Sequence, residues 1–119
     1  MPEKIYVTTP IYYVNDKPHI GHAYTSVATD FLARYHRIIG NDVRFQTGTD
    51  EHGLKIQKAA DKEDIKPIEL CDKNSAKFRE LSKILNISNN DFIRTTEDRH
   101  IMGAQFLWNK LYKNDQIYL

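Results

Sequence analysis

Two short strand-like runs bracket one long amphipathic stretch at the start of this chain, and that order leaves few folds open. Ile5-Tyr6-Val7-Thr8-Thr9 is β-branched and aromatic, stops at Pro10, and reads as a buried strand. A loop from Pro10 to Pro18 follows. Apolar residues then recur at Ile20, Tyr24, Val27, Ala28, Phe31, Tyr35 and Ile38, the spacing of one helix face. Gly40-Asn41 supplies the helix stop. Val43, Phe45 and Thr47 alternate with polar neighbours as a second strand, ending at Gly48. The unit is β–helix–β, and a parallel, right-handed crossover is expected of it.

The rest of the chain continues the alternation. Residues Gly53 to Lys62 read as a short helix. Pro67 suits the first turn of another, with Ile68, Cys71, Phe78, Leu81 and Leu85 on one face. Asn89-Asn90 marks a turn before a third strand, Phe92-Ile93-Arg94. Thr95-Thr96-Glu97-Asp98 has the form of a capping sequence. Ile101, Ala104, Trp108, Leu111 and Tyr112 then carry a last amphipathic helix, with Trp108 expected in the core. Gln116 to Leu119 reads as the start of another strand, cut short. The expected fold is an open α/β sheet.

Composition narrows the functional classes. Over 119 residues, 40% are hydrophobic and 28% charged, an ordinary globular balance rather than a disordered one. No apolar run approaches the roughly 20 residues of a membrane span, and Met1-Pro2-Glu3-Lys4 lacks a signal-peptide pattern. Cys71 is the one cysteine, so neither an intrachain disulfide nor a four-cysteine zinc site can form. Cys71 reads as a small buried hydrophobe, and a reducing, cytoplasmic setting is expected. A net charge of +1 neither argues for nor excludes a nucleic-acid partner.

In open α/β sheets ligands bind beyond the carboxyl ends of the strands. Two unusual segments fall there: Pro10 to His22 after the first strand, and Thr47-Gly48-Thr49-Asp50-Glu51-His52-Gly53 after the second. Adjacent parallel strands would bring both to one rim. His19 and His22 fall in a first helical turn, where unpaired backbone N–H groups and the helix dipole favour an anion. Gly21 between them would let a flat group approach the backbone. The arrangement suits phosphate. Alternatives stand beside this reading: the histidines as simple surface residues, Gly21 as a packing contact, or a metal site with a thin ligand set. Asp50 is either a helix N-cap or a rim carboxylate that pairs with an ammonium group. Glu51 and His52 read as solvated or structural, Tyr12 and Tyr13 as core or pocket wall. Arg34 and Arg37 read as solvated charges.

Taken together these segments are specific. Thr8-Thr9-Pro10-Ile11-Tyr12-Tyr13, His19-Ile20-Gly21-His22 at its set distance, and Thr47 to Gly53 make the run from Ile5 to Gly53 resemble the methionyl-tRNA synthetases, a family of class I aminoacyl-tRNA synthetases. A lone HIGH tetrapeptide would carry little. Flanked in this way, it points to the methionine enzymes over those for leucine, valine, isoleucine or cysteine. Phe92-Ile93-Arg94-Thr95-Thr96-Glu97 is similar to a further family segment, which extends the resemblance over essentially the whole chain.

The family's KMSKS loop, connective insertion and helical anticodon-binding domain are absent from this sequence. The resemblance therefore implies that residues 1–119 are the first half of a Rossmann-type, nucleotide-binding catalytic domain with a parallel sheet and crossover helices. By the same resemblance it would be a fragment ending where the insertion would begin. Zinc-binding cysteines of that insertion would lie beyond Leu119, and no metal ligands are assigned here.

The implied reaction joins methionine and ATP to methionyl-adenylate, then transfers methionine to its tRNA. It needs no enzyme nucleophile, so positioning and charge stabilisation must supply catalysis. By resemblance, His19 and His22 are the catalytic pair and bind ATP phosphates, with Gly21 making room for adenosine. Ile11, Tyr13 and Asp50 bind methionine, Asp50 through its ammonium group. Mg²⁺ would arrive with ATP, and most tRNA contacts would lie outside this segment. The segment alone is expected to be inactive, with a partly exposed hydrophobic edge near Phe92 to Thr95. Two other classes compete: a nucleotidylyltransferase, which also uses an HxGH helix start, and a non-catalytic binding module.

Overall fold

The structure, a computed structural model, describes residues 1–119. In chain order its elements are β1 (Lys4–Thr8), β2 (Tyr12–Tyr13), α1 (Ile20–Ile38), β3 (Asp42–Asp50), α2 (Leu54–Glu63), α3 (Pro67–Ile84), β4 (Asp91–Arg94) and α4 (Asp98–Lys113). All strand pairings are parallel. β1 runs beside the first half of β3, from Lys4 opposite Asp42 to Thr8 opposite Gln46. Pro10 interrupts the ladder, and β2 resumes it with Tyr12 opposite Thr49 and Tyr13 opposite Asp50. β4 takes the other edge, from Gln46 opposite Asp91 to Thr49 opposite Arg94. β3 is thus central, paired on both sides at Gln46 and Thr49.

Side-chain parity shows where the helices lie. Residues two or four apart on a strand share a face. Phe45 clusters with Ala33 of α1, and the Thr49 hydroxyl meets that of Ser75 on α3 at 3.3 Å. α1 and α3 therefore cover one face of the sheet. The larger core cluster joins Tyr12, Val14 and Phe92 to Ile56 and Ala60 of α2 and to Leu70, Cys71 and Phe78 of α3. Phe45 is fully enclosed, a burial that contributes roughly 2–3 kcal/mol. On the opposite face, Tyr6, Thr8 and Gln46 border an open cavity with Arg99, Gly103 and Leu107 of α4.

Several expectations are corrected by this packing. The apolar face of α1 does not meet the sheet: Tyr24 is 76% and Phe31 68% exposed, and the buried residues are Ser26, Asp30 and Ala33. The reason is polar. Asp30 accepts from the Ser88 backbone N–H (2.7 Å) and from the Ser88 hydroxyl, and Arg34 and Arg37 donate to Asn86, Ser88 and Asn90. These arginines are links between α1 and the turn before β4, not idle surface charges.

Trp108 is 61% exposed, and α4 buries no residue at all. It is tied down at its start, where Arg99 grips Asp91 with two nitrogens (2.7 and 3.1 Å) and donates to the Phe92 carbonyl. Phe92 and Thr95 are buried while Ile93 between them is half-buried, so β4 keeps only part of an exposed edge, and large exposed apolar side chains stand on α1 and α4. β3 continues past Gly48 to Asp50, and residues 116–119 form no strand. Cys71 is buried as expected, and burial pushes its thiol up to about 11.

Candidate functional site

The turn from β2 into α1 builds a cleft of about 300 Å³ whose lining includes Ile11, Tyr13, Lys17, His19 and His22. Val14 anchors this turn, because its carbonyl accepts from the Asn74 side chain of α3 at 2.7 Å. Tyr12 holds it from inside. Its hydroxyl meets Ser26 at 3.0 Å, while its ring stacks on Phe78 and touches the His22 ring edge-on.

The histidines themselves cap α1. His19 Nδ1 accepts the Gly21 N–H, and His22 Nδ1 accepts the His19 N–H, both at 3.1 Å. The rings stack with centroids 3.8 Å apart. An Nδ1 that accepts leaves the ring proton on Nε2, so each neutral imidazole presents one N–H donor. Two of the backbone donors expected to meet an anion are thus already satisfied, and the imidazoles offer donors in their place. Neither Nδ1 is available to a metal. Burial, and then the proximity of His19, lower the pKa of His22. Gly21 has a further role. A side chain there would press on the His19 ring at 3.0 Å, so the glycine makes room for the cap itself.

Asp50 lies outside the cleft lining but directly opposite Tyr13 in the ladder. Paired residues of a parallel ladder point to one face, which places both on the side that α1 and α3 leave open. Asp50 does not cap α2, because Gly53 occupies that position. Its carboxylate accepts instead from the His52 N–H at 3.3 Å. The structure therefore gathers Ile11, Tyr13, His19 and His22 around one cleft, sets Asp50 beside it, and leaves Gly21 behind the His19 ring.

Lys17 escapes sequence reasoning, and for Glu51 the sequence leaves open whether it is solvated or structural. Lys17 lines the cleft as a cation, yet nothing in the spacing separates it from other loop lysines. Glu51 is more telling: its side chain is 0% exposed and bonded to Arg94 at 2.7 Å. Burial alone would raise its pKa, but hydrogen bonds from Arg94, Thr96 and Thr49 outweigh that and lower it. Thr96 serves this carboxylate, and Thr95 accepts from the Glu51 N–H, so neither threonine caps α4.

Comparison with known proteins agrees with this fold. The family model described as tRNA synthetases class I (M) matches residues 5–119. A methionine–tRNA ligase of Rickettsia felis is 57% identical over 118 residues, 99% of this chain. One of Mesorhizobium japonicum is 56% identical over 117 residues. The chain spans 23% of the length of each relative. Among solved structures, Mycobacterium tuberculosis methionyl-tRNA synthetase in complex with methionyl-adenylate superposes with a TM-score of 0.91. It is 45% identical, and the match covers 93% of this chain and 22% of that one. A leucyl-tRNA synthetase from Agrobacterium radiobacter gives 0.86 at 25% identity, over 98% of this chain and 15% of that one.

Proposed function

Because the chain belongs to the class I tRNA synthetases, in the branch whose model carries the methionine label, we propose that it supplies the first half of a catalytic domain that activates methionine with ATP and passes it to tRNA. The observation that carries this is the histidine pair at the start of α1. Both histidines line a cleft walled by Ile11 and Tyr13, the first helical turn carries no acidic residue, and the one acid of the lining, Asp16, stands beside the cation Lys17.

In this reading His19 and His22 donate to the ATP phosphates, with Gly21 near the adenosine. The methionine carboxylate is the nucleophile toward the α-phosphorus and releases pyrophosphate. Asp50 holds the methionine ammonium, and Ile11 and Tyr13 flank the side chain. Mg²⁺ accompanies ATP and adds charge neutralisation at the phosphates; it is substrate-borne. Lys17, at the same cleft, adds a positive charge. A basic loop from the rest of the enzyme would complete the clamp, so residues 1–119 alone are expected to be inactive. No helix is long and apolar enough to cross a membrane, and a reducing, cytoplasmic setting completes the reading.

The test uses the full-length enzyme that carries this segment. Replacing His19 or His22 with Ala should slow single-turnover adenylate formation by about a hundredfold, on the order of 3 kcal/mol, because each donor acts on charge that develops in the transition state. Methionine affinity should hold. An unchanged rate would return the histidines to a purely capping role.

A further inference from the structure

We propose that Glu51 is a positioning residue for the amino-acid side of the site. Its buried carboxylate fixes the direction in which β3 leaves the sheet, and so sets Asp50 against Tyr13. The inference rests on the reading of Asp50 as the ammonium partner.

Strand ends at a sheet rim ordinarily turn their polar groups to water, yet Glu51 is wholly enclosed while His52 beside it is exposed. Both carboxylate oxygens are engaged. Oε1 accepts from Arg94 Nε (2.7 Å) and the Thr49 hydroxyl (2.9 Å), and Oε2 accepts from the Thr96 hydroxyl. The backbone is held as firmly: the Glu51 N–H donates to Thr95 Oγ1 at 2.9 Å, and the same oxygen meets His52 Nδ1 at 3.0 Å. Thr95 in turn donates its N–H to the Thr49 carbonyl. Residues 49, 51 and 52 are therefore all fastened to residues 94–96. Arg94 extends the clamp to α3 through Asp72 at 2.6 Å. Asp50 is the one residue of this stretch whose side chain is left outside it.

Energetics favour positioning over simple stabilisation. A buried ion pair seldom stabilises a fold more than packed apolar side chains of the same volume. The arginine fork and two hydroxyls do restrict the carboxylate, and with it the chain, to one geometry. The ladder then carries that geometry to Tyr13, the partner of Asp50. Displacement of a binding group by about 1 Å is enough to lose much of its effect.

The experiment compares Glu51→Gln, Thr95→Val and Thr95→Ser with the wild type, in the full-length enzyme, by methionine-dependent ATP–pyrophosphate exchange. Glu51→Gln and Thr95→Val should raise the methionine KM about tenfold while the ATP KM stays within about twofold. Thr95→Ser keeps the oxygen and should restore wild-type behaviour. If Glu51→Gln does not fold, the two Thr95 variants decide. A methionine KM that does not move, or both KM values rising together, overturns the inference. A wild type unable to activate methionine instead overturns the functional reading beneath it, and this inference with it.

Discussion

His19 and His22 stack with ring centroids 3.8 Å apart, and each commits its Nδ1 to a backbone N–H at the start of α1. Capping and tautomer choice are therefore one event. The helix end selects the neutral ring with its proton on Nε2, and that ring can donate to an anion only through the remaining N–H. Protonation of His22 at Nδ1 would remove the acceptor for the His19 N–H and set a charge against the stacked His19 ring.

A pH dependence follows. Burial, and then His19, hold the pKa of His22 below the ordinary 6.5. As pH falls, the unfolded chain takes up this proton first. The stabilisation is complete above about 6.5 and is lost as pH drops from there toward the folded value. Glutamine at this third helical position can also accept the His19 N–H but does not titrate. His22→Gln should therefore flatten the decline in melting temperature between pH 7.5 and 5.5. An equal decline in both proteins would show that His22 is not the group responsible.

β1, β3, β4 and the His19–His22 segment were legible because local chemistry decides them: β-branched and aromatic alternation at Val43 and Phe45, glycine after α1, and a histidine pair at a helix start. β2 was not, since Tyr12–Tyr13 lies in a stretch that reads as loop and becomes a strand only by pairing with Thr49 and Asp50. Nor was the face of α1 that meets the sheet. Periodicity marks an apolar stripe without saying which neighbour covers it, and here Asp30 and Arg34 bind a turn more than fifty residues away. The Glu51 clamp was hidden for the same reason. Its partners Arg94 and Thr96 join it only through the β3–β4 pairing. Asp50 looked like a helix cap because β3 runs two residues further than its alternation suggested.

The uncovered stripes should make the isolated chain associate. Tyr24 and Phe31 on α1, and Phe106 and Trp108 on α4, are each more than 60% exposed. Patches of this kind mark surfaces that bind protein. Size-exclusion chromatography with light scattering should find oligomers of the 119-residue chain, and Phe31→Glu with Phe106→Glu should shift it toward monomer. A wild-type monomer at high concentration would contradict this.

Gly48 offers a sharper test of the sheet. A Cβ at this position would sit 2.1 Å from the Ile93 carbonyl oxygen and 2.6 Å from Ile93 Cγ2. The carbonyl belongs to the paired strand and cannot rotate away without breaking the ladder. Gly48→Ala should therefore destabilise by at least the 1–3 kcal/mol typical of overpacking, read as a lowered denaturant midpoint. Gly103, whose Cβ would meet nothing within 4 Å, is the control: Gly103→Ala on α4 should be neutral or mildly stabilising, since alanine is the better helix former.

Asp50 decides the amino-acid side of the site. A bound zwitterion with its carboxylate toward phosphates needs a separate anion for its ammonium group, and Asp50 lies opposite Tyr13 at the rim. Its structural duty is small, since it accepts one long bond from the His52 N–H (3.3 Å) while Gly53 occupies the cap of α2. Asparagine can accept that same bond. Asp50→Asn in the full-length enzyme should leave the melting temperature and ATP binding as they are. It removes the charge, however, and a charge-assisted hydrogen bond in a partly desolvated pocket is worth roughly 1.5–3 kcal/mol. Methionine binding measured by calorimetry should weaken by about tenfold or more. Retained methionine affinity would mean that the ammonium is held elsewhere, and that Asp50 only closes the turn into α2.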